Sequence, residues 1–514
     1  METDGIVVPD KADRRPMALA ILLCWTALLW PMLVNGGPFL FVDSTAYVRG
    51  VDAAFSQFFG VTTPWSQPSV AAPGSPGVGT AVAGGAAADD GRIILSGRSV
   101  YYGALAYLSQ RLGGFWILAF LQTLLTAAAV ALTVDRLWPA WRRRWATLLA
   151  VPALLLATSA PYFAGYAMPD IFMALALLAI GNIAAFWRRD GRARRLFWSG
   201  LLVFSLLSHT ATLLVGALVI LAAIPLSLAF ARVPRAAWTA LAGAVAIAVV
   251  GEAAFSLAVR ASTGQGPVRP PFIAARLVDD GPGYRYLRET CPGSGFALCR
   301  MVDRPPANSD EFLWSGEPGV GAFLSGTARD AREVSDEQVR FAWAVFRAKP
   351  LEVIGSSLGA IGRQAGMTGL DEFNYEEGTR LHLDAKLPSA ERDAIVTTAA
   401  YQNSMPTRAV SWLAPWLAVL AILAIATALA LRRSGRGPRS DATLLCALVL
   451  LGVVLNVAVS GAISTPHDRY HMRALWLLPL LAAALAPLLI RSIGSDDART
   501  DRFRRLPTAR DGQA

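Results

Sequence analysis

Two acids hold comparable places in the sequence, each at the edge of an apolar stretch. Asp43 lies in NGGPFLFVDSTAYVRG, after the first apolar segment and beside Tyr47 and Arg49. Asp170 opens the apolar run of YAMPDIFMALALLA. Asp43 could be only a helix-capping or interface carboxylate, and Asp170 only an acid at a helix start, which the helix dipole favours. Two carboxylates facing one cavity could also do proton chemistry, in which one accepts a proton from a hydroxyl nucleophile and the other holds that base or a metal ion in place.

Basic side chains that could serve such a site stand in two further stretches. SGRSVYYGALAYL carries Arg98, and STPHDRYHMR carries His467, Arg469 and Arg473. A reaction that develops negative charge on a leaving group needs fixed cations near that group, and His467 could be a further donor. The alternative for Arg469 and Arg473 is that they only snorkel to the membrane interface.

Two polar residues within apolar runs are further candidates. His209 either satisfies a helix break at Ser208-His209-Thr210 or touches a ligand. Glu252 lies inside an apolar span, where an acid is a functional candidate by default because it is costly to keep there. One role for Glu252 is to pair with an arginine of the cavity.

The elements that position these residues are mainly membrane helices. Of the 514 residues, 54% are hydrophobic and 16% charged, and the mean hydropathy is +0.43. Soluble proteins carry about 25% charged residues. The windows 17–34 and 442–464 contain no charge and are long enough to cross a bilayer. The chain is therefore predicted to be a polytopic membrane protein whose first segment, too long for a signal peptide, is a retained anchor.

The basic residues predict how the helices are oriented. The formal charge is +10, but most basic clusters lie between apolar segments, which indicates helix orientation and argues against nucleic-acid binding. The clusters follow every second crossing, which fits about ten transmembrane helices with both termini inside. The run 196–231 is predicted to break near His209, because a single helix would put the later basic loops outside. The predicted spans are 16–34, 113–134, 145–162, 168–187, 196–208, 211–231, 237–259, 409–431, 442–461 and 472–491.

These observations predict an all-α fold, a polytopic integral membrane bundle with a mostly helical segment on the outer side. Ser335 and Gln338 have the spacing of a capping box before a helix over 336–348, and Pro350 starts a second helix that ends near Arg363. The predicted parts are an N-terminal transmembrane module, 1–259, with a first outer loop, 35–98, whose residues 62–91 are rich in Ala and Gly; a periplasmic segment, 260–408; C-terminal transmembrane helices, 409–491; and a cytoplasmic tail, 492–514.

The four cysteines fall into two classes. Cys291 and Cys299 flank PGSGFAL in the outer segment, and a pair there predicts a disulfide in an oxidising compartment. A zinc site would need two more ligands nearby. Cys24 and Cys446 lie in apolar spans, where we expect them to be buried and inert.

The predicted orientation brings the polar candidates to one membrane face. Asp43, Asp170, His209, Asp468 and Arg469 would all lie near that face. An aqueous cavity there could hold them, since the bilayer edge does not otherwise tolerate so many polar groups.

Four stretches resemble the GT-C superfamily, the polytopic glycosyltransferases that use polyprenyl-phosphate-linked sugars. FVDSTAYVRG is similar to the family's first-loop acid followed by a Tyr, and SGRSVYYGALAYL to its Arg-x-x-x-Tyr motif. PDIFMALALLAIG resembles the second acidic motif, and HDRYHMRALWLLPLLAAALAP the Arg-Tyr pattern of the last helices. Relatives in that superfamily include protein mannosyltransferases, the aminoarabinose transferase of lipid A and rhizobial lipopolysaccharide core transferases. Many relatives have two acids in the first motif where this chain has one, so a divalent cation is left open.

The resemblance implies an inverting glycosyltransferase of the bacterial cell envelope. It would lie in the inner membrane with both termini cytoplasmic and its active site facing the periplasm. Its partners would be a polyprenyl-phosphate sugar donor, a glycan, lipid or protein acceptor, and the bilayer, with no nucleic acid. Asp43 would be the general base, supported by Asp170. The donor phosphate would bind Arg98, Arg469, Arg473 and His467, and the cavity would be lined by Tyr47, Tyr102, His209 and Glu252.

Other functions are compatible with the same pattern. A transporter or flippase would also gather polar residues at one face, although transporters usually show internal repeats and broken helices near the midplane. A glycan polymerase or ligase would share the location and the substrate class, and a non-catalytic scaffold would use the outer segment for binding. The sequence has no G-x-x-x-x-G-K-[ST] and no strand-bound G-x-G-x-x-G, which argues against a nucleotide-sugar enzyme.

Overall fold

The computed structural model describes residues 14–66, 98–138, 141–143, 145–317, 320–433 and 440–486. Regular structure in these ranges is helical, apart from one isolated β-bridge between Phe39 and Tyr166. The first outer loop from 67 to 97, including most of the Ala/Gly-rich stretch, and the predicted tail lie outside the described residues.

Twenty α-helices are present in the described ranges. The first ten are α1 (Arg14–Asn35), α2 (Val42–Phe59), α3 (Val100–Gly113), α4 (Phe115–Leu137), α5 (Trp145–Leu156), α6 (Ala160–Ala164), α7 (Ile171–Phe186), α8 (Arg192–Ser208), α9 (Thr210–Ala229) and α10 (Arg235–Thr263). The others are α11 (Phe272–Asp279), α12 (Pro282–Thr290), α13 (Ser309–Trp314), α14 (Ala328–Ala348), α15 (Pro350–Gly366), α16 (Glu377–Lys386), α17 (Ser389–Ile395), α18 (Arg408–Arg433), α19 (Ser440–Ile463) and α20 (Asp468–Leu475). Residues 477–486 are also helical.

Six of the described helices are long and apolar enough to cross a membrane. They are Met17–Asn35, Phe115–Leu137, Thr210–Ala229, Arg235–Thr263, Arg408–Leu431 and Ser440–Ile463. The chain is thus an all-α, multi-pass membrane bundle, as predicted. The predicted spans 145–162 and 168–187 correspond to the shorter apolar helices α5 and α7. The predicted span 196–208 corresponds to α8, and the span 472–491 extends past the described residues. The count of ten crossings stays a prediction.

Helix α7 is the centre of the bundle. Every one of its residues except Ala185 is buried, and it packs against α4, α8, α9 and α19. An apolar helix without a polar face is stable only when other elements surround it. The contact with α19 is close, because a Cβ atom at Gly452 would come within 2.4 Å of the Leu177 side chain. Small residues of this kind let membrane helices approach each other.

The apolar run 196–231 is broken where the sequence predicts. His209 has extended backbone dihedrals between α8 and α9, and its Nδ1 accepts a hydrogen bond from the Ala211 amide at 3.1 Å. This bond satisfies one of the amides that a new helix leaves unpaired. The predicted break is confirmed.

One end of the bundle collects basic loops. The loop after α4, the loop between α7 and α8, and the start of α19 are joined there by ion pairs. Two basic loops and the start of α19 therefore meet at one end, and α7 runs from the opposite end towards them. The pairs are Arg136–Asp190 (2.5 Å), Arg142–Asp135 (2.8 Å), Arg194–Asp135 (2.6 Å) and Arg189–Asp441 (2.8 Å).

The outer segment begins with a small helical unit that has its own core. Phe312 and Phe341 are fully buried there among residues of α11 to α14. Cys291 and Cys299 are joined by a disulfide, the pairing that the sequence predicts. Helix α15 then packs against α19, which ties this unit to the membrane helices.

The predicted start of the long outer helix is wrong. Helix α14 begins at Ala328, where the Thr327 hydroxyl accepts from the Asp330 amide and the Asp330 carboxylate accepts from the Thr327 amide. This reciprocal pair closes the helix start two turns before the predicted capping box. Ser335 lies buried inside the helix, and Gln338 donates to the Ser335 carbonyl at 3.0 Å.

Candidate functional site

The isolated β-bridge fixes the relative positions of the two acids. The Phe39 amide donates to the Gly165 carbonyl at 3.0 Å, and the Ala167 amide donates to the Phe39 carbonyl at 2.8 Å. Helices α2 and α7 start shortly after these two bridge residues. Asp43 therefore lies in the first turn of α2 and Asp170 at the start of α7, at one end of the bundle.

Asp43 forms an ion pair with Arg98. The Arg98 Nη2 donates to Asp43 Oδ1 at 2.5 Å, and each side chain keeps about a quarter of its surface exposed (27% and 26%). Arg98 is placed by the start of α3, where the Ser99 hydroxyl caps the helix. Burial acts to raise the pKa of Asp43, but the charges of Arg98 and Arg469 outweigh it, so the pKa lies below its ordinary value. The Asp43 carboxylate is thus ionised and accessible.

Asp170 is paired with Arg473 inside the protein. Their atoms Oδ1 and Nη1 lie 3.3 Å apart, and both side chains are almost fully buried. Arg473 also donates to Asn456 Oδ1 from Nη2 at 2.8 Å and contacts the Ser460 hydroxyl at 3.4 Å. A buried charge needs such partners. The geometry therefore gives Arg473 a structural position between α7 and α19.

Arg469 lies differently from the other two arginines. Its guanidinium group stacks over the Phe41 ring at 4.3 Å, and its Nη2 donates to the Tyr470 hydroxyl at 3.2 Å. Its Nε and Nη1 are buried and have no hydrogen-bond partner among the described residues. The nearest carboxylate is Glu372, whose Oε2 lies 4.0 Å from Nε. Burial raises the pKa of Glu372 to about 7, although the charge of Arg469 opposes the shift.

The chain matches no family model, no curated protein and no solved structure. The geometry of the described residues and the motifs of the sequence are therefore the grounds for a function.

Two predicted tyrosines lie next to the acids in different ways. Tyr47 is buried, and the charges of Asp43, Arg98 and Asp170 all act on its hydroxyl. Tyr102 packs edge-to-face against Tyr47 with ring centroids 4.9 Å apart, but its hydroxyl donates to the Gln122 side chain at 2.9 Å. Tyr47 thus belongs to the charged group, and Tyr102 belongs to the core behind it.

The remaining predicted residues serve other contacts. His209 caps α9, although the charges of Arg473 and Asp170 reach it. His467 Nε2 lies 3.6 Å from Asp310 of the outer segment. Glu252 does not join the group, because the charge that acts on it is that of Arg269.

Sequence reasoning missed the part of the site that the outer segment supplies. Glu372 approaches Arg469, and His382 lies where the charge of Asp43 acts on it. Burial lowers the pKa of His382 to about 4. The segment is held by Tyr375, whose hydroxyl accepts from the Leu40 amide at 2.7 Å. The one available signal was that His382 is one of only four histidines in the chain.

No cluster of three or more His, Cys, Asp or Glu side chains in the described part of the chain is arranged to hold a metal ion. This finding does not test the divalent cation that the sequence leaves open.

Proposed function

We propose that this chain is a membrane glycosyltransferase that moves a sugar from a polyprenyl-phosphate-linked donor to a hydroxyl acceptor. The observation that carries the proposal is the 2.5 Å pair between Asp43 and Arg98. It places an ionised, accessible carboxylate beside an accessible cation at the end of a membrane bundle. This combination suits a reaction that needs a base for a hydroxyl and a positive charge for a phosphate.

The proposed reaction follows from these two side chains. Asp43 accepts the proton of the acceptor hydroxyl while the oxygen of that hydroxyl forms a bond to the anomeric carbon of the donor. The bond from that carbon to the phosphate oxygen breaks with inversion, and the electron pair leaves with the polyprenyl phosphate. Arg98 stabilises the charge that develops on this phosphate.

Asp170 supports the base from a distance. The β-bridge holds the start of α7 beside the start of α2, and the ion pair of Asp170 with Arg473 fixes the start of α7 against α20. A fixed start of α2 keeps the Asp43 carboxylate in one position, and small misplacements of a catalytic group are costly. In this proposal, Asp170 is a positioning residue and does not take part in proton transfer.

The proposed location follows the predicted orientation. The end of the bundle with Arg136, Arg142, Arg189 and Arg194 would face the cytoplasm, since cytoplasmic loops of membrane proteins are enriched in basic residues. The Asp43 end would then face the periplasm of a bacterial inner membrane, where lipid-linked sugars are the natural donors. The acceptor would be a glycan, a lipid or a protein.

A deletion strain tests the proposal. It would be complemented with the wild type, Asp43→Asn or Asp52→Asn, and its envelope glycans and lipids would be profiled by mass spectrometry. Asn fills nearly the same volume as Asp but cannot accept the proton, so Asp43→Asn should cut product formation by roughly 10²–10⁴ at equal expression. Asp52 lies on the same helix and accepts hydrogen bonds from Thr63 and Ser66. Asp52→Asn should stay within a few-fold of wild type.

The same strains separate an enzyme from a transporter. Membranes of the wild type should transfer the sugar in vitro after permeabilisation with detergent, and membranes of Asp43→Asn should not. Unchanged transfer in the detergent-treated deletion membranes, together with loss of transport in sealed vesicles, would assign the chain to transport. Full glycan production by Asp43→Asn would remove Asp43 from the mechanism.

A further inference from the structure

A second polar cluster lies beside the Asp43–Arg98 pair and is built from three separate parts of the chain. Its members are Arg469 of α20, Glu372 of the outer segment and Tyr166 of the turn before α7. Each has at least one buried polar atom without a hydrogen-bond partner in the part of the chain that the structure describes: Arg469 Nε and Nη1, Glu372 Oε2 and the Tyr166 hydroxyl. Buried polar groups in folded proteins are almost always hydrogen-bonded.

Ring contacts show that the three residues are neighbours. Phe41 contacts the Arg469 guanidinium at 4.3 Å and the Tyr166 ring at 6.2 Å. Phe373, next to Glu372 in sequence, lies 5.0 Å from the Tyr166 ring. The charges of Glu372 and Arg469 also both act on the Tyr166 hydroxyl.

The cluster offers hydrogen-bond donors and an acceptor at the same place. Arg469 can only donate, Tyr166 has a proton to donate, and the unpaired Oε2 of Glu372 can accept. With Oε2 and Nε 4.0 Å apart, a phosphodiester bound to Arg469 would lie beside Glu372, which repels it once the Glu372 carboxyl is ionised. A hydroxyl group avoids this conflict, because its oxygen accepts a hydrogen bond from Arg469 and its O–H donates one to Glu372.

We propose that Arg469, Glu372 and Tyr166 form a subsite for a neutral, polyhydroxylated group, the sugar ring of the donor. The subsite holds hydroxyls of the sugar, and the phosphate lies with Arg98. The proposal deepens the proposed function and rests on it for the identity of the sugar as the transferred group. It changes the role of Arg469 from phosphate binding to sugar recognition.

Binding measurements on the full chain in lipid nanodiscs test the subsite without any transfer reaction. The probes are a mixture of neutral hexoses and pentoses, and separately geranyl phosphate, each observed by saturation-transfer difference NMR. Wild-type protein should bind at least one monosaccharide. Tyr166→Phe and Glu372→Gln should each weaken that binding about three- to tenfold, the range for one lost hydrogen bond, while geranyl phosphate binding stays unchanged.

Matched substitutions outside the cluster serve as controls. Tyr284 donates its hydroxyl to the Val302 carbonyl in the outer segment, and Glu289 pairs with Lys349 there. Tyr284→Phe and Glu289→Gln should bind both probes as wild type does. These controls distinguish the loss of a specific hydroxyl or carboxylate from a general effect of the substitution.

Two results would overturn the subsite. One is wild-type protein that binds no monosaccharide of the mixture. The other is a change in geranyl phosphate binding, weaker in Tyr166→Phe or tighter in Glu372→Gln, which would make the cluster an anion site. Failure of the subsite leaves the Asp43→Asn test standing. The opposite outcome is also distinguishable. If sugar binding needs Tyr166 and Glu372 but the Asp43→Asn variant remains active, the subsite is upheld and Asp43 is rejected as the base.

Discussion

Asp43 and Asp170 follow the two residues of one β-bridge by equal lengths of chain. The bridge joins Phe39 to Tyr166, and each acid stands at the start of the helix that follows, α2 in one case and α7 in the other. The two acids nevertheless differ in their surroundings. Asp43 is partly exposed beside Arg98, whereas Asp170 is buried against Arg473. One backbone contact thus aligns an accessible carboxylate with a structural one.

Removal of Arg98 should change the pH dependence of turnover. The charge of Arg98 lowers the pKa of Asp43, so Arg98→Met should raise it and the base form should be lost at higher pH. The acidic limb of the profile of kcat against pH, measured at saturating donor, should therefore move to higher pH. Arg111, exposed in the last turn of α3, provides the control Arg111→Met, whose profile should match the wild type. An unchanged acidic limb in Arg98→Met would show that this limb does not report the protonation of Asp43.

Removal of Arg473 should destabilise the protein. Arg473→Ala leaves Asp170 buried and unpaired, which costs about 3–5 kcal/mol, so the apparent Tm in detergent should fall sharply. The double variant Asp170→Asn with Arg473→Met removes both charges and should recover part of that loss. Arg469→Met should cost less, because the Asp170 pair stays intact. Equal losses for Arg469→Met and Arg473→Ala would contradict the structural role of Arg473.

Glu372 should make stability fall as the pH rises. Its pKa is raised from 4.5 to about 7 by burial, against the charge of Arg469 and with help from those of Asp170, Asp468 and Glu376. Between these two pH values the folded protein binds a proton that the unfolded chain has released, so the free energy of unfolding decreases with pH. The decrease is at most about 3 kcal/mol.

Comparison of variants isolates this contribution of Glu372. The difference in apparent Tm between pH 5 and pH 8 should be smaller in Glu372→Gln than in the wild type. Glu377 is exposed in the same segment, so Glu377→Gln should keep the wild-type difference. A Glu372→Gln variant with the full pH dependence would show that another group is responsible.

The two ends of the bundle should lie on opposite sides of the membrane. The loop at Gly191 belongs to the end with the paired arginines, and Arg300 belongs to the outer segment. A reporter at residue 191 should give a cytoplasmic signal, and one at residue 300 a periplasmic signal. Signals from the same side at both positions would reject the proposed orientation, because α7 separates the two ends.

The disulfide should protect two of the four cysteines from alkylation. Cys291 and Cys299 are bonded, and Cys24 and Cys446 are buried. Unfolded, unreduced protein from the native membrane should therefore take up a maleimide only at Cys24 and Cys446, and at all four after reduction. Labelling of Cys291 before reduction would refute the bond. Cys291→Ser should loosen the outer helical unit more than the membrane bundle.

The sequence predicts the fold where local patterns decide it. The charge-free windows identify the long membrane helices, and the distribution of basic residues locates the break at His209, because both signals lie within one or two helices. The start of α14 was misplaced because local patterns do not decide it. Two capping patterns lie a few residues apart, and the choice between Thr327 and Ser335 depends on which residues pack into the outer core.

The candidate site is only partly readable from the sequence. Asp43 and Asp170 could be paired because each stands at the edge of an apolar segment on one predicted face. Glu372 and His382 could not be assigned to the site from the sequence, because their positions depend on docking between distant segments. The hydrogen bond from Leu40 to Tyr375 spans 335 residues. Such contacts leave no periodicity in the sequence, and they decide which polar groups meet.

The pair between Asp170 and Arg473 also has a consequence for biosynthesis. The ribosome delivers Asp170 and the whole of α7 long before Arg473, which lies 303 residues later. Until the last helices arrive, the acid has no counter-charge, and α7 lacks the face of α19 that covers it. The nascent bundle must therefore keep the start of α7 in contact with water or with the insertion machinery. Insertion of α19 and α20 completes both the hydrophobic packing and the charge balance, so the site forms only when synthesis of the membrane region is nearly finished.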